Sequence, residues 1–331
     1  MSLPYSFDDL VQMINSNYGI NIIIMSVLVD HTYSKVYLLE SATDKYVLKE
    51  MGESNDVKIA GESELTGYLV EKGIKVPKLY HSATGSHIVY RGGYIYVLYE
   101  FIDGKSYGLN TAPDWFLRKS ARTLGNIQAA LKDYKRLPPQ FGRDFFASDR
   151  YARTAQSIAE NAAHVEAQGN VGLATALNER LKHIRRVLSF RFDCDKLSYV
   201  NSHGDFYINQ VIVRGGELFT LDWSNPHYLL ACFEVMMSYA YAAPECVDGS
   251  ISVERFYPYF IEYLKYAPIT LNKYDLKMMP YFIYHYCIFC SFTPPYDSLP
   301  NDYYEIAHFT DRLANWLHDN VDGLSVELQK F

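Results

Sequence analysis

The fold is decided by the segment His203-Gly204-Asp205-Phe206-Tyr207-Ile208-Asn209-Gln210, which combines a histidine, a carboxylate and two amides with apolar residues. Two strand-like runs, 211–213 and 217–221, follow it and flank the pair Gly215-Gly216, a pattern that predicts a β-hairpin. The hairpin ends in Leu221-Asp222-Trp223, which adds a second carboxylate. A hairpin bracketed by acidic and amide side chains among helical patterns indicates a functional site.

Upstream of this segment, the first hundred residues contain short apolar and β-branched runs separated by polar or glycine-containing turns. Strand-like runs occur at 22–29, 35–39, 46–51, 87–90 and 94–101. Helical spacing of apolar residues occurs at 6–17, where Ser6 is a candidate cap, and at 58–72. This part of the sequence therefore predicts a small antiparallel sheet with one inserted helix.

After Gly104 the pattern changes to long helical periods. They cover 113–134, 150–167, 171–188, 229–243, 252–266, 272–290 and 302–318. The fold class predicted is α+β, with a sheet-containing lobe over 1–101 and a larger, mainly helical lobe over 102–331.

Composition excludes several function classes. The chain of 331 residues has a formal net charge of -7 and no extended run of Lys or Arg, so no nucleic acid partner is expected. The early apolar run 22–29 is interrupted by Ser26 and is too short to span a bilayer. Neither a membrane partner nor a leader is therefore expected, and the predicted localisation is cytoplasmic. The sequence predicts no oligomeric state.

The five cysteines are an odd number in a long chain, which is atypical of a secreted disulfide framework and favours reduced thiols. Cys287 and Cys290 follow His285 closely, but no further ligands at similar spacing complete a zinc site, so an apolar helix is the preferred interpretation.

The segment 203–210 with the following hairpin and Asp222 resembles the catalytic loop and metal-binding segment of the aminoglycoside phosphotransferase and choline kinase superfamily, whose usual loop reads H-G-D-x-x-x-x-N. The resemblance covers about residues 20–235 and implies a bilobal, protein-kinase-like fold with a nucleotide-binding first lobe. The helix 120–134 also resembles one in the spore-coat-associated, kinase-like branch.

The resemblance implies that Asp205 is the catalytic base and that Asp222 and a loop amide bind Mg²⁺. Counting from Asp205, the asparagine position of the family loop falls on Gln210, with Asn209 one place early. Gln210 is therefore predicted as the amide ligand, because its oxygen suits a hard cation, and Asn209 remains the alternative. Without the resemblance, Asp205 could form a turn after Gly204 and Asp222 could cap the hairpin.

In the first lobe, the resemblance implies a lysine on the phosphates of ATP that is fixed by a carboxylate from the inserted helix. Lys49 lies in the third strand-like run, and Glu62 is the preferred partner, with Glu64 left open. Backbone groups of Glu100, Phe101 and Ile102 correspond to the family's hinge, where adenine binds. The loop 30–34 contains no glycine and departs from a glycine-rich phosphate cover.

Two functions remain open at this stage. The first is an ATP- and Mg²⁺-dependent O-phosphotransferase acting on a small hydroxylated metabolite, namely an amino sugar, a sugar or an amino alcohol. The second is a catalytically silent kinase fold that serves as a scaffold, but Lys49, Asp205 and Asp222, the residues that such proteins usually lose, are all present.

The sequence favours no single acceptor. Acidic residues that suit an aminoglycoside are Glu234, Glu245, Asp248, Glu254 and Glu262, interspersed with lysines and aromatic residues, and the 30 tyrosines could instead form an aromatic cage for a choline-like cation. In a fold of this kind the terminal helices select the acceptor, so analogy of fold does not name it.

Overall fold

The structure is a computed structural model that describes residues 6–30, 34–52, 56–139, 148–289 and 301–331. The strands within these ranges are β1 (Ile24–Asp30), β2 (Ser34–Glu40), β3 (Lys45–Gly52), β4 (Ile88–Arg91), β5 (Tyr94–Glu100), β6 (Tyr199–Ser202), β7 (Val211–Arg214), β8 (Glu217–Thr220) and β9 (His227–Leu230). The helices are α1 (Phe7–Tyr18), α2 (Asp56–Glu71), α3 (Asp114–Ala130), α4 (Ser148–Ala167), α5 (Val171–Leu188), α6 (Ala231–Ala242), α7 (Val253–Leu264), α8 (Lys273–Phe289) and α9 (Asn301–Leu328).

The chain divides into two compact units. The first contains residues 1–106 and 210–225, and the second contains 107–209 and 226–331. The sheet-rich first part and the mainly helical second part confirm the predicted α+β class. The lobe boundary after residue 101 remains a prediction, and the division adds that the hairpin β7–β8 belongs to the unit that contains the N-terminal sheet.

The N-terminal sheet is antiparallel, with strand order β1-β2-β3-β5-β4. On one face, Leu10 and Ile14 of α1 pack against a cluster that includes Leu48 and Leu98. On the other face, Ile59 of α2 packs with a second cluster. Two helices on opposite faces bury the central strands, and β1 and β4 form the edges.

Helix α1 has a sequence-encoded beginning and end. Ser6 Oγ accepts a hydrogen bond from the backbone N–H of Asp9 at 3.2 Å, and the Ser6 backbone N–H donates to Asp9 Oδ2 at 3.1 Å, which forms a capping box. Gly19 ends the helix with a φ of 64°. The predicted helix over 6–17 is therefore confirmed to within one residue at each end.

The hairpin β7–β8 is held by backbone bonds to its own unit. Lys105 and Val213 exchange two N–H···O bonds of 2.8 Å each, and the Thr220 N–H donates to the Lys75 carbonyl at 2.9 Å. The segment after β5 thus becomes a short partner of β7. These bonds fix the hairpin end, where Asp222 follows, relative to the sheet.

In the second unit, β6 pairs with β9 in an antiparallel ribbon, with Ser202 opposite His227 and Tyr199 opposite Leu230. Every residue of α6, which follows β9, is buried. The helix predicted over 229–243 is therefore wrong at its beginning, because pairing with β6 draws 229–230 into a strand. Helix α9 extends ten residues beyond the predicted end at residue 318, to Leu328.

Two features of the sequence interpretation lie outside the described residues: the centre of the loop 30–34, at 31–33, and Cys290. Within the described ranges, no helix is both long enough and apolar enough to span a bilayer.

Gly104 is expected to tolerate no side chain, because it lies against the backbone of β7. A Cβ atom added there would lie 2.5 Å from the Val213 carbonyl oxygen and 2.6 Å from Ile212 Cγ2. We expect Gly104→Ala to lower the free energy of unfolding by about 1–3 kcal/mol, measured by urea denaturation.

The matched control is Gly67→Ala in α2, where an added Cβ meets no atom within 4 Å. This variant should be neutral or slightly more stable, because alanine favours helix over glycine. Equal stability of the Gly104 variant and the wild type would contradict the close packing described here.

Candidate functional site

Lys49 lies on β3, on the sheet face that carries Val97 of β5 opposite it. Its Nζ donates a hydrogen bond of 2.8 Å to Asp222 Oδ1, and 16% of its side chain is exposed. Burial disfavours the charged ammonium, but the carboxylates of Asp222 and Glu62 outweigh this effect and raise the pKa of Lys49. Lys49 therefore stays charged inside the first unit.

Glu62 of α2 is a second carboxylate, after Asp222, within electrostatic range of Lys49. Its side chain is only 3% exposed, and the Tyr99 hydroxyl donates to its Oε1 at 3.0 Å. Burial raises the pKa of Glu62, and the Lys49 ammonium opposes this shift. Glu64, the other candidate, is exposed on the same helix, whereas the buried Glu62 carboxylate acts on the lysine.

Asp222 has an unusual backbone conformation. Its φ of 53° lies in the left-handed region, which non-glycine residues seldom adopt and which costs about 1–3 kcal/mol. Ser224 Oγ donates to Asp222 Oδ1 at 2.7 Å, and the next residue, Trp223, is buried with its Nε1 donating to the Thr220 carbonyl at 3.3 Å. The buried indole anchors the turn while 44% of the Asp222 side chain stays exposed.

Gln210 lies at the beginning of the hairpin that Asp222 follows. Its carbonyl accepts the Leu221 N–H at 2.8 Å, so Gln210 is paired with the residue before Asp222. Asn209, the alternative amide, is exposed in the short 3₁₀ turn Ile208–Gln210. Asp222 and Gln210 carry the oxygen donors that Mg²⁺ prefers.

In the ranges that the structure describes, no group of three or more His, Cys, Asp and Glu side chains could hold a metal.

The predicted hinge residues lie at the end of β5, to which Glu100 belongs, and directly after it. Glu100 is opposite Tyr46 in the last pair of the β3–β5 ladder, its N–H donates to the Lys78 carbonyl at 2.8 Å, and its Oε1 accepts from Arg214 at 2.8 Å. Phe101 and Ile102 lie past this last pair. The Glu100 N–H is thus engaged within the first unit.

Apolar side chains line the Lys49 face of the sheet. Val47 lies two residues before Lys49 and is paired with Leu38, while Val36 is paired with Lys49 itself. All three apolar side chains are half-buried, unlike the fully buried Leu48 on the opposite face. This face offers an apolar surface beside a cation.

Asp205 lies in the second unit, in the turn after β6. The preceding Gly204 has a φ of 87°, and the Asp205 N–H donates to His203 Nδ1 at 3.4 Å. The flanking N–H groups of Gly204 and Phe206 both donate to Glu234 Oε1, at 2.8 and 3.1 Å. One buried carboxylate thus holds the backbone on both sides of Asp205, which is itself half-buried.

A polar network holds Glu234 in turn. Gln128 Nε2 donates to Ser202 Oγ at 3.1 Å, and the Tyr263 hydroxyl donates to Gln128 Oε1 at 2.7 Å. Burial raises the pKa of Glu234, and interactions with Ser202 and the loop amides oppose the shift. Sequence reasoning missed this role, although an acidic residue inside the apolar run 229–243 was a signal that could have found it.

The candidate acceptor acids are largely engaged in the fold. Glu234 is 0% exposed. Glu245 accepts from the Tyr239 hydroxyl at 2.6 Å, Asp248 Oδ1 accepts from Ser250, and Glu262 pairs with both Arg122 and Lys265. Four of the five candidate acids thus have partners within the second unit.

A cavity of about 490 Å³ lies elsewhere in the second unit. Its walls include Tyr151, Phe190, Phe192, Asp193 and His285, and none of the predicted site residues lines it.

Comparison with known families gives one match. A family model described as the phosphotransferase enzyme family matches residues 27–266, more than two-thirds of the chain. No curated protein matches the sequence significantly.

Several solved structures share the fold over nearly the whole chain. A spectinomycin phosphotransferase in complex with ADP and spectinomycin is 14% identical, with a TM-score of 0.60 and coverage of 99% of this chain and 100% of that one. An amicoumacin kinase in complex with AMP-PNP, Ca²⁺ and Ami is 14% identical, with a TM-score of 0.63 and coverage of 96% of this chain and 94% of that one. A choline kinase from Cryptosporidium parvum is 13% identical, with a TM-score of 0.58 and coverage of 98% and 99%.

The network around Glu234 predicts a loss of stability when its carboxylate is removed. Glu234→Ala leaves the Gly204 and Phe206 amides without their acceptor, so we expect the free energy of unfolding to fall by about 2–4 kcal/mol. Glu234→Gln keeps an acceptor oxygen and should lose less. Urea denaturation of both variants measures the two losses. An alanine variant as stable as the wild type would show that the hydrogen bonds to Glu234 contribute nothing to the free energy of unfolding.

Proposed function

The chain belongs to the phosphotransferase enzyme family and is a small-molecule kinase, and from this premise we propose that it transfers the γ-phosphate of ATP to a hydroxyl group of a small metabolite, with Mg²⁺ and with Asp205 as base. The acceptor class proposed is an amino sugar, a sugar or an amino alcohol. The family match covers the residues to which the roles below are assigned.

The observation that carries the proposal is the charge cluster formed by Lys49, Glu62 and Asp222. A buried lysine on a strand is costly unless carboxylates pair with it, and here one carboxylate comes from α2 and the other follows the hairpin. Phosphoryl transfer requires a fixed cation for the phosphates and a carboxylate for the metal. The cluster supports Lys49 in the first role and Asp222 in the second.

Mg²⁺ would be held by Asp222 and Gln210, and when bound it neutralises negative charge on the phosphates. The exposed carboxylate of Asp222 and the backbone pairing of Gln210 with Leu221 are consistent with that ligand pair. The half-buried apolar residues on the Lys49 face suit the adenine ring, and the backbone of Phe101 and Ile102, past the end of the ladder, suits its polar edge.

In the proposed step, Asp205 orients the acceptor hydroxyl and takes its proton. The acceptor oxygen then forms a bond to the γ-phosphorus while the bond from that phosphorus to the bridging oxygen of ADP breaks. The two amides clamped by Glu234 hold the backbone at Asp205 in one conformation, which supports a positioned base.

The acceptor is to be found by measuring ATP consumption across hydroxylated metabolites and aminoglycosides. Transfer to at least one acceptor class is expected, with the product identified by its phosphorus NMR signal. Failure of every acceptor, together with failure to bind ATP, would favour the scaffold interpretation.

Asp205→Asn is expected to leave the fold intact and to lower turnover about a hundredfold or more, because the amide cannot accept the proton. Steady-state kinetics on the best acceptor, with circular dichroism as the check on folding, measure this. Turnover equal to that of the wild type would remove Asp205 from the mechanism.

Lys49→Ala and Glu62→Ala are each expected to raise the KM for ATP about tenfold, and the double variant should be little worse than the poorer single one, because the carboxylate acts through the lysine. The control is Glu64→Ala, which alters an exposed side chain on the same helix. Additive losses, or a loss in the control equal to that of Glu62→Ala, would contradict the pairing.

Gln210→Ala is expected to raise the Mg²⁺ concentration needed for half-maximal activity severalfold, because one oxygen ligand is lost. Asn209→Ala should mainly affect stability. A magnesium titration of both variants decides between the amides, and the opposite result would assign the ligand to Asn209.

A further inference from the structure

Tyr99 lies on β5 on the same face of the sheet as Lys49. We propose that Tyr99 is a positioning residue for nucleotide binding, which acts by holding the Glu62 carboxylate in place for Lys49. This inference rests on the proposed function, because it requires that Lys49 binds the phosphates of a nucleotide.

The sheet register fixes where Tyr99 points. Tyr99 is opposite Val47, and Val97 is opposite Lys49, so alternation places Tyr99 and Lys49 on one face. The Tyr99 hydroxyl donates to Glu62 Oε1 at 3.0 Å. The tyrosine thus connects the strand before the predicted hinge to the carboxylate that acts on the lysine.

The hydroxyl is a permanent donor. Burial and the negative charge of Glu62 raise the pKa of Tyr99 well above its ordinary value, so the phenol stays protonated. Hydrogen bonds to a charged acceptor in a buried site are stronger than neutral ones. A second group, the backbone of Trp223, also acts on the Glu62 carboxylate.

Holding Glu62 matters because Lys49 also has a second carboxylate. Lys49 Nζ lies 2.8 Å from Asp222 Oδ1, and Asp222 is the residue proposed to bind the metal. When Asp222 binds a metal ion, its negative charge is shared between the metal and the Lys49 ammonium. The ammonium then depends on the Glu62 carboxylate for the rest of its charge compensation. A Glu62 side chain without the Tyr99 bond would populate other rotamers and support Lys49 less well.

The same sheet contains a matched pair with no assigned role in binding. The Tyr37 hydroxyl donates to Glu50 Oε2 at 3.1 Å, and both side chains are buried. Tyr37 belongs to the cluster under α1, on the face opposite Lys49. Tyr37→Phe therefore removes the same kind of hydrogen bond from the same sheet without touching the lysine cluster.

The test compares Tyr99→Phe and Tyr37→Phe in the full chain. Urea denaturation gives the stability of each variant, and isothermal titration with ATP and Mg²⁺ gives the dissociation constant. Both variants should lose comparable stability. Only Tyr99→Phe should weaken ATP binding, by roughly fivefold, a coupling within the usual range for groups in one network.

A double-mutant cycle distinguishes loss of Glu62 positioning from a general loss of stability of the sheet. Glu62→Gln should weaken ATP binding by itself, and adding Tyr99→Phe to it should weaken binding little further. This cycle also provides a second variant if Tyr99→Phe alone folds poorly, since Glu62→Gln keeps the size of the side chain.

Four outcomes would overturn the inference, and they are distinguishable. ATP binding by Tyr99→Phe equal to that of the wild type shows that Tyr99 is structural only. Equal weakening by Tyr37→Phe, or weakening that persists in the Glu62→Gln background, shows that sheet stability and not positioning is responsible. Wild-type protein that binds no nucleotide overturns the proposed function itself, and this inference with it.

Discussion

The ammonium of Lys49 imposes the constraint on which the first unit depends. A charge buried on a strand must be neutralised, and the two carboxylates that do so come from distant parts of the sequence, Glu62 on α2 and Asp222 after the hairpin. The bonds of Lys105 and Thr220 to neighbouring backbone hold the hairpin so that Asp222 reaches the lysine. The need to neutralise the Lys49 charge therefore connects α2, the N-terminal sheet and the hairpin β7–β8.

A second buried carboxylate organises the other unit. Glu234 receives the Gly204 and Phe206 amides, and the network through Ser202 and Gln128 extends to Tyr263 on α7. The Glu62 and Glu234 carboxylates interact with different kinds of group. Glu62 supports a side-chain cation, whereas Glu234 satisfies backbone donors in a turn that has no ladder to satisfy them. In both cases specific partners offset part of the cost of burial, and Lys49 or the backbone at Asp205 is held as a result.

Much of this architecture could be predicted from the sequence. Alternation and turn residues predicted the strands of the N-terminal sheet, and the capping residue Ser6 predicted the beginning of α1. The boundary at 229–230 could not be predicted, because those residues become a strand only by pairing with β6. Local pattern carries no information on such a partner.

Only part of the candidate site could be predicted from the sequence. Lys49, Asp205 and Asp222 stand out by motif, and Glu62 was the preferred partner on resemblance, but only the burial of Glu62 and the exposure of Glu64 distinguish the two on physical grounds. Tyr99 and Glu234 act through contacts across the fold. Glu234 was counted among acidic residues for an acceptor, and the structure buries it completely. A charge in a sequence does not reveal whether it faces a ligand or a backbone amide.

The most direct test of the account is the effect of ATP with Mg²⁺ on thermal unfolding. A ligand at a hundred times its dissociation constant adds about 2.7 kcal/mol to the free energy of unfolding. We expect a stabilisation of this size for the wild type and a much smaller one for Lys49→Met at the same concentrations. No stabilisation of the wild type by ATP or any other nucleotide would contradict the claim that the Lys49 cluster binds phosphates.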